Sequence, residues 1–395
     1  MPTWAPNVNY PVSADPWSAT PTKVAHPGAA SVGITPKSGV AGQVFNKVIH
    51  EAYAADTSAK DRLNELVNFT GQQAALNFRP ASTCTGDLAK YRAGTWYFSS
   101  KGTADLFFRS NDLLSINSVT ELPAPAKTTF VQADFDVDPS GNIVIVDESQ
   151  DQMKHYTAGT TTWAKFTVAG NTLVKPSLVY AVTAGLWCVA GPLTTGGGPI
   201  NVRTSANRTT WTSRTPPTGF SGVLANAGVS LGHDGAGVIV MQLVKGTDVT
   251  FSRSTDGGIT WGAPQTLALG FTGANPGYWP RPIWNGSYWL AHVTDGVNAT
   301  KIYKSTDGAA WSQVASFTAT RFRSIAAMGE LWLALTGATS GIHVSTDGGA
   351  TWRKFDLAIP GDTVASNAIR FLVLHNAGGN AYPSHAMGLG LELAT

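Results

Sequence analysis

The stretch Ser345-Thr-Asp347-Gly-Gly-Ala-Thr-Trp352 decides the fold, because close copies of it recur upstream. Ser254-Thr-Asp256-Gly-Gly-Ile-Thr-Trp261 has the same length, and Ser305-Thr-Asp307-Gly-Ala-Ala-Trp311 is one residue shorter. We call this pattern the serine–aspartate box. Its aspartate can accept hydrogen bonds from backbone N–H groups of its own turn, and the next glycine allows a positive φ. The box therefore predicts a tight turn between two strands, with the tryptophan packed between neighbouring sheets.

Weaker copies extend the repeat towards the N-terminus. Ser205-Ala-Asn207-Arg-Thr-Thr-Trp211 has asparagine for aspartate, 157–163 keeps a hydroxyl and the tryptophan, and Ser110-Asn-Asp112 keeps the first half. The copies start at 110, 157, 205, 254, 305 and 345, in steps of 40 to 51 residues. A glycine turn followed by an apolar residue precedes each copy in the same phase, as in Gly286-Ser-Tyr-Trp289. Two markers in phase predict structural repeats rather than chance similarity.

Each repeat is predicted to contain four antiparallel strands, with the box between the third and the fourth. Four-stranded units repeated around an axis form a β-propeller, which is an all-β fold. In the sixth unit the predicted strands are Ser324–Met328, Leu331–Leu335, Gly341–Ser345 and Trp352–Leu357.

The two ends of the propeller decide the number of blades. A seventh unit is predicted with only three strands, Ile369–Leu374, Ala381–His385 and Leu389–Leu393. The segment Ala74–Pro80 is apolar at three positions and can pair as the missing strand, which would remove an exposed sheet edge. We therefore predict seven blades over residues 74–395, with six as the alternative.

Two different segments precede the propeller. Residues 1–38 contain seven prolines and are predicted to form an extended arm. Residues 39–73 carry apolar side chains in alternating steps of four and three, which predicts a short helical segment. We expect both segments to dock onto a partner; a free tail, or a helix packed on the propeller, is the alternative. The candidate docking residues are Trp4, Tyr10, Trp17, Phe45 and Ile49.

Composition and charge exclude several function classes. Only 13% of the 395 residues are charged, and 42 glycines and 22 prolines argue against a helical bundle. The net charge of +2, without a long basic run, does not favour nucleic-acid binding. No signal peptide or membrane span is apparent, so we expect synthesis in the cytoplasm. The eight histidines and two cysteines have no metal-ligand spacing, and we expect neither metal nor cofactor.

The boxes resemble the Asp-box repeats, or bacterial neuraminidase repeats, of sialidase-like propellers, over roughly residues 80–395. In that superfamily the box is structural and occurs in enzymes, carbohydrate binders and non-enzymatic proteins alike, so the fold does not imply a function. The resemblance implies a structural role for Ser110, Asp112, Ser205, Asn207, Trp211, Ser254, Asp256, Trp261, Ser305, Asp307, Trp311, Ser345, Asp347 and Trp352.

The layout as a whole resembles tail fibres and other virion appendage proteins of tailed bacteriophages. The features that carry this resemblance are the proline-rich arm, the segments GVAGQVFNKVIHEAYAAD and KDRLNELVNF, and the degenerate boxes that follow. It implies a virion structural protein whose residues 1–73 bind other virion proteins and whose propeller projects. Further copies of the chain and a host surface polysaccharide are the other candidate partners.

The residues available for catalysis do not match a sialidase. Such an enzyme needs three arginines to hold a carboxylate, a tyrosine paired with a glutamate, and an aspartate as acid and base. The propeller has few glutamates, and Phe78-Arg79-Pro80 lacks the isoleucine of the family's opening motif. Asp134, Asp136 and Asp138 alternate along one strand edge, and we interpret them as a solvated acidic run. We predict a non-enzymatic protein; the alternative is a sialidase-like glycoside hydrolase or lectin.

A loop between blades four and five is the candidate ligand-binding surface. The connection Leu269–Pro282 contains Tyr278, Trp279 and Arg281. Aromatic rings stack on sugar faces and arginine binds hydroxyls or acids, so these residues would contact a glycan. The alternative is that Trp279 only fills the space between two blades.

Overall fold

The repeats fold as separate antiparallel sheets in the computed structural model. It describes residues 88–99, 107–111, 119–122, 132–147, 152–167, 173, 175–193, 199–220, 228–271, 280–295, 299–336, 342–355, 363–366, 370–374 and 387–390. Six sheets have four strands and the last has three, and consecutive strands pair within each sheet. The all-β prediction is therefore confirmed for this part of the chain.

The first three sheets contain β1 (Leu88–Arg92), β2 (Thr95–Ser99), β3 (Phe107–Ser110) and β4 (Val119–Glu121); β5 (Gln132–Val137), β6 (Ile143–Asp147), β7 (Gln152–Tyr156) and β8 (Trp163–Thr167); and β9 (Ser177–Ala181), β10 (Leu186–Pro192), β11 (Ile200–Ser205) and β12 (Thr212–Arg214). The fourth and fifth contain β13 (Gly228–His233), β14 (Ile239–Lys245), β15 (Asp248–Ser254) and β16 (Gln265–Ala268); and β17 (Ile283–Trp284), β18 (Trp289–Thr294), β19 (Thr300–Ser305) and β20 (Ser312–Phe317). The last two contain β21 (Ser324–Met328), β22 (Leu331–Leu335), β23 (Ile342–Ser345) and β24 (Arg353–Phe355); and β25 (Thr363–Ser366), β26 (Arg370–Leu374) and β27 (Met387–Gly390).

The first strands of the sheets surround a common axis. β5 lies beside β1 and β9, β13 lies beside β9 and β17, and β21 lies beside β17 and β25. β25 also contacts β1, so the first and last sheets are neighbours. This arrangement confirms the β-propeller, because radial repetition brings each sheet face to face with the next.

The core lies between successive sheets rather than inside any one of them. Both faces of a middle strand are covered, and strands such as β14 and β18 are therefore almost continuously apolar and buried. Four second strands contribute a fully buried tryptophan to these interfaces: Trp96, Trp187, Trp289 and Trp332.

The prediction for the last blade needs correction. Six complete four-stranded blades are present in the described ranges, whereas the sheet that begins at Thr363 has three strands. The predicted strand Ile369–Leu374 is the second strand of this sheet, β26, and not its first. The unit carries no box and no tryptophan marker, so the phase of its strands was misjudged.

Several predictions lie outside the described residues. These are the arm 1–38, the helical segment 39–73, the closing strand Ala74–Pro80 and the strand Ala381–His385. Within the described ranges, no helix combines the length and apolar character needed to cross a membrane.

Candidate functional site

The first strand of each blade has one edge without a β partner. Side chains of neighbouring blades form hydrogen bonds with some of the backbone groups along this edge. Unpaired edge N–H and C=O groups are costly when buried. Asp134 Oδ2 on β5 accepts a hydrogen bond from Leu178 N at 2.7 Å. Asp136 Oδ2 accepts one from Tyr180 N at 2.8 Å. Both bonds join β5 to β9 and so hold the second blade to the third.

Serine hydroxyls make the same kind of link elsewhere around the axis. Ser177 Oγ accepts from Leu231 N at 3.0 Å, and Ser230 Oγ donates to Pro280 O at 2.8 Å. Ser324 Oγ accepts from Val364 N at 3.0 Å, which joins β21 to β25. The polar side chains of the first strands therefore act as connectors between blades.

An ion cluster occupies the axis among these strands. Arg92 Nε lies 2.8 Å from Asp136 Oδ1, and Arg281 Nη2 lies 2.5 Å from Asp134 Oδ1. Lys90 Nζ lies 3.3 Å from Asp134 and 3.7 Å from Asp136, and donates to Leu178 O at 3.1 Å. We use the name channel cluster for the five charged residues and His233, that is, for Lys90, Arg92, Asp134, Asp136, His233 and Arg281.

Burial and neighbouring charges shift the titration of the channel cluster. Burial would raise the pKa of Asp136, but the cations Arg92 and Lys90 outweigh it and hold this pKa well below its usual range. Burial, aided by Arg281, lowers the pKa of Lys90 to about 8 even though Asp134 and Asp136 oppose the shift. Asp136 is therefore ionised at neutral pH, and Lys90 is a cation that loses its proton more easily than an exposed lysine.

His233 completes the cluster as a neutral ring. Burial and the cations around it, Arg92 first among them, lower the pKa of His233 to about 3. Its Nδ1 accepts a hydrogen bond from Gly235 N at 3.0 Å, so the remaining proton resides on Nε2. Nε2 lies 3.5 Å from Asp136 Oδ2, too far for a well-formed hydrogen bond.

The cluster lines one side of a cavity of about 240 Å³ along the axis. Lys90, Arg92, Asp134, His233 and Arg281 contribute to its wall. Two further basic side chains, His292 and Arg323, line the same space. The cavity thus combines several cations with few anions, which makes it the most chemically distinctive place in the described part of the molecule. In that part, no group of three histidine, cysteine or acidic residues could hold a metal ion.

The interpretation of the acidic run as solvated is wrong. Asp134 is 1% exposed and Asp136 is fully buried. Their charges can be buried because cationic partners on β1 and before β17 compensate them. The sequence does contain one signal that was overlooked. Lys90 and Arg92 alternate in the first strand of the first blade just as Asp134 and Asp136 do in the second, and equivalent strands of a propeller meet at the axis.

The candidate glycan-binding residues are not brought together in the described structure. Arg281 turns into the channel towards Asp134, whereas Tyr278 and Trp279 lie outside the described residues. The docking residues Trp4, Tyr10, Trp17, Phe45 and Ile49 also lie outside them.

The serine–aspartate boxes occupy turns between third and fourth strands. In the turn after β15, Ser254 Oγ donates to Asp256 Oδ1 at 2.8 Å and accepts from Gly258 N at 2.8 Å. Asp256 also accepts from Ile259 N at 3.0 Å. The same pattern surrounds Ser345 and Asp347, and also Ser305 and Asp307.

The weaker copies and the tryptophans follow the same scheme. Ser205 Oγ accepts from Arg208 N at 2.9 Å, and Asn207 Oδ1 takes the place of the carboxylate by accepting from Thr210 N at 2.8 Å. Ser110 ends β3, and Asp112 lies outside the described residues. Trp311 stacks on Phe251 of the preceding blade with ring centroids 4.1 Å apart, and the remaining box tryptophans, Trp211, Trp261 and Trp352, are partly buried against apolar clusters. The boxes close the turns with their own atoms.

Comparisons with known proteins give a fold and no family. No family model and no curated protein matches the chain. Among solved structures, YCF48 from Cyanidioschyzon merolae is 14% identical, with 80% of this chain and 97% of that chain covered and a TM-score of 0.50. A streptogramin B lyase is 13% identical, with 75% of this chain and 92% of that chain covered and a TM-score of 0.51. The WD40 repeats of RRP9 are 9% identical, with 78% of this chain and 94% of that chain covered and a TM-score of 0.51. The likeness shows the β-propeller fold alone. Since a lyase and WD40 repeats both appear, no activity follows from it.

Proposed function

We propose that the chain is a non-enzymatic structural protein of a tailed-bacteriophage virion, a tail fibre or related appendage. Residues 1–73 would bind other virion proteins, and the propeller would project. The observation that carries the structural role is the engagement of the buried carboxylates. Asp134 and Asp136 each bind a backbone N–H of β9 and at least one cation. A general acid must hold a proton near neutral pH, and the lowered pKa of Asp136 makes it unsuited to that task.

The polar side chains at the axis favour a rigid scaffold in the same way. Ser177, Ser230 and Ser324 are bound to backbone groups of the next blade. A projecting appendage needs a body that resists local opening, and links between blades supply that resistance. The arm carries the attachment in this proposal, and further copies of the chain are candidate neighbours within the particle.

We also propose that the sheet of β25, β26 and β27 is a seventh blade, completed by Ala74–Pro80. The position of β25 between β21 and β1 supports this assignment. Comparing a chain that starts at Gln72 with one that starts at Ala81 tests it, because only the first retains the closing strand. We expect the shorter chain to unfold at a lower urea concentration. Equal unfolding midpoints would contradict a closing strand in this segment.

The docking role of the arm is tested in cells that produce the parent particle. A tagged full chain should enter purified particles, whereas a tagged chain starting at Gln72 should not. In the full chain, replacing Trp4, Tyr10 and Trp17 together by alanine should reduce incorporation strongly, since these are the large aromatic groups of the arm.

A matched arm variant separates docking from non-specific damage. Replacing Thr3, Thr20 and Ser31 together by alanine changes three small polar residues of the same arm and should leave incorporation unchanged. Normal incorporation of the aromatic triple variant, or of a folded chain that lacks the arm, would refute the docking role. If the truncated chain does not fold, the two triple variants still decide the question.

A further inference from the structure

The channel cluster contains more cations than anions. Within the described ranges, Lys90, Arg92 and Arg281 face two carboxylates, Asp134 and Asp136. His233 adds no charge of either sign, because it is a neutral ring. Unbalanced charge at a largely buried site is costly unless a counter-charge accompanies it. The cluster is therefore built to accept at least one further negative charge.

Among the described residues, three polar atoms at the cavity have no hydrogen-bond partner. They are Nε2 of His233, Nη1 of Arg281 and Nε2 of His292, and all three are buried. All three residues line the cavity, and His292 is only 4% exposed. In the ladder between β17 and β18, Ile283 pairs with Leu290. Arg281 lies two residues before β17, His292 lies on β18, and both side chains line the same cavity.

Arg281 Nη1 and His292 Nε2 require opposite hydrogen-bonding groups on a ligand. Arg281 can only donate hydrogen bonds and prefers oxyanions. The ring of His292 forms a hydrogen bond with the backbone of Arg323, and this bond raises the pKa of the ring. A bond that favours the protonated ring is one in which a ring N–H is the donor. Since Nε2 has no partner, that donor is Nδ1, and Nε2 is left as an acceptor. Burial lowers the pKa of His292 to about 3, which keeps Nε2 unprotonated.

We propose that the channel binds a small oxyanion that also carries a hydroxyl hydrogen, of which hydrogen phosphate is the simplest example. Arg281, with Lys90 beside it, binds the charged oxygens, and His292 Nε2 accepts the hydroxyl hydrogen. The cavity of about 240 Å³ has room for such an ion and several waters, since one water takes on the order of 30 Å³ of liquid volume. This site does not depend on the virion role.

Phosphate and sulfate distinguish this site from a non-selective cationic surface. Both are tetrahedral oxyanions, but sulfate at pH 7 has no hydroxyl hydrogen to give to His292. In calorimetric titrations of the full chain at pH 7 and constant ionic strength, phosphate should bind saturably. Its Kd should be about five- to 160-fold lower than that of sulfate, because a buried acceptor left unpaired costs on the order of 1–3 kcal/mol.

Three variants assign the binding to named groups. Arg281→Gln should abolish binding of both ions, and His292→Phe should remove the preference for phosphate while sulfate still binds. Lys165→Gln removes the same charge from an exposed position on β8 and should leave both affinities unchanged. Absence of saturable phosphate binding, equal affinity for the two ions in the wild-type chain, or an equal loss in Lys165→Gln would overturn the proposal. The wild-type comparison remains decisive if a channel variant does not fold.

Discussion

The substitution Asp136→Asn tests whether the channel cluster holds the blades together. The change keeps the shape of the side chain and an oxygen that can accept the 2.8 Å hydrogen bond from Tyr180 N. It removes the negative charge that faces Arg92 Nε at 2.8 Å and Lys90 Nζ at 3.7 Å. The amide group would instead present N–H donors to these cations.

The expected loss of stability follows from the burial of the pair. Breaking a buried ion pair by removing one partner costs about 3–5 kcal/mol, because the other charge is left without compensation. Asp136 is fully buried, but Arg92 is 23% exposed and water recovers part of its solvation. Lys90 also keeps its contact with Asp134. We therefore expect a decrease of about 3 kcal/mol in the free energy of unfolding, at the lower end of that range.

Asp138→Asn is a matched control two residues further along. Asp138 Oδ1 accepts hydrogen bonds from Ser140 N and Asn142 N, and an amide oxygen can keep both. Only the bond from Asn142 Nδ2 to Oδ2 is lost, at a cost of about 1 kcal/mol. Urea unfolding at pH 7, followed by tryptophan fluorescence, compares the two variants. Equal and small decreases in the unfolding midpoint would refute a stabilising role for the cluster.

The pH dependence of the same variant provides a second check. The pKa of Asp136 is lower in the folded chain than in the unfolded chain, so its contribution is complete above about pH 4 and is lost as the pH falls towards the folded value. The stability difference between the wild-type chain and Asp136→Asn should therefore be constant from pH 5 to 7 and should shrink at lower pH. A difference that grows on acidification would contradict the assigned ionisation.

Three shorter predictions concern the boxes, the free thiol and catalysis. Asp347→Ala should lower the free energy of unfolding by about 1–2 kcal/mol in urea titrations, because Ser345 and backbone donors lose their acceptor; an unchanged midpoint would count against the structural role. Burial raises the pKa of Cys188 to about 12, so in a Cys84→Ser background the native chain should not react with a thiol reagent at pH 8, while the unfolded chain should react fully. Rapid labelling of the native chain would contradict this burial. The chain should release no reducing ends from host lipopolysaccharide or capsule, and turnover above a heat-treated control would favour the hydrolase alternative; glycan binding without turnover should be weakened by Trp279→Ala.

The regular blades were predictable because their signals are local. The predicted strands Ser324–Met328 and Leu331–Leu335 coincide with β21 and β22. Turn chemistry within a few residues and a buried aromatic residue at a constant phase were sufficient there. The last sheet has no box and no tryptophan marker, although β26 contains the buried Phe371, and β25 was therefore missed.

The ion cluster was not predictable by the same reasoning. Acidic residues in alternation are usually solvated, and their partners here are distant in sequence: Arg92 precedes Asp136 by 44 residues, and Arg281 follows much later. The loop with Arg281 was interpreted as an outer binding surface because its aromatic neighbours dominate the local composition. No local pattern reports which way an arginine turns.

The amino-acid sequence by itself determined the repeating antiparallel units, their turns and the aromatic residues between sheets, because each depends on interactions within one repeat or between adjacent repeats. Only the tertiary structure decided which first strands share the axis and what lies between them. Closing the repeats into a ring brings together Lys90 of β1, Asp134 of β5 and Arg281, which precedes β17. There, electrostatic interactions are much stronger than at the surface, and they turn three ordinary charged residues into a buried cluster with an excess of positive charge.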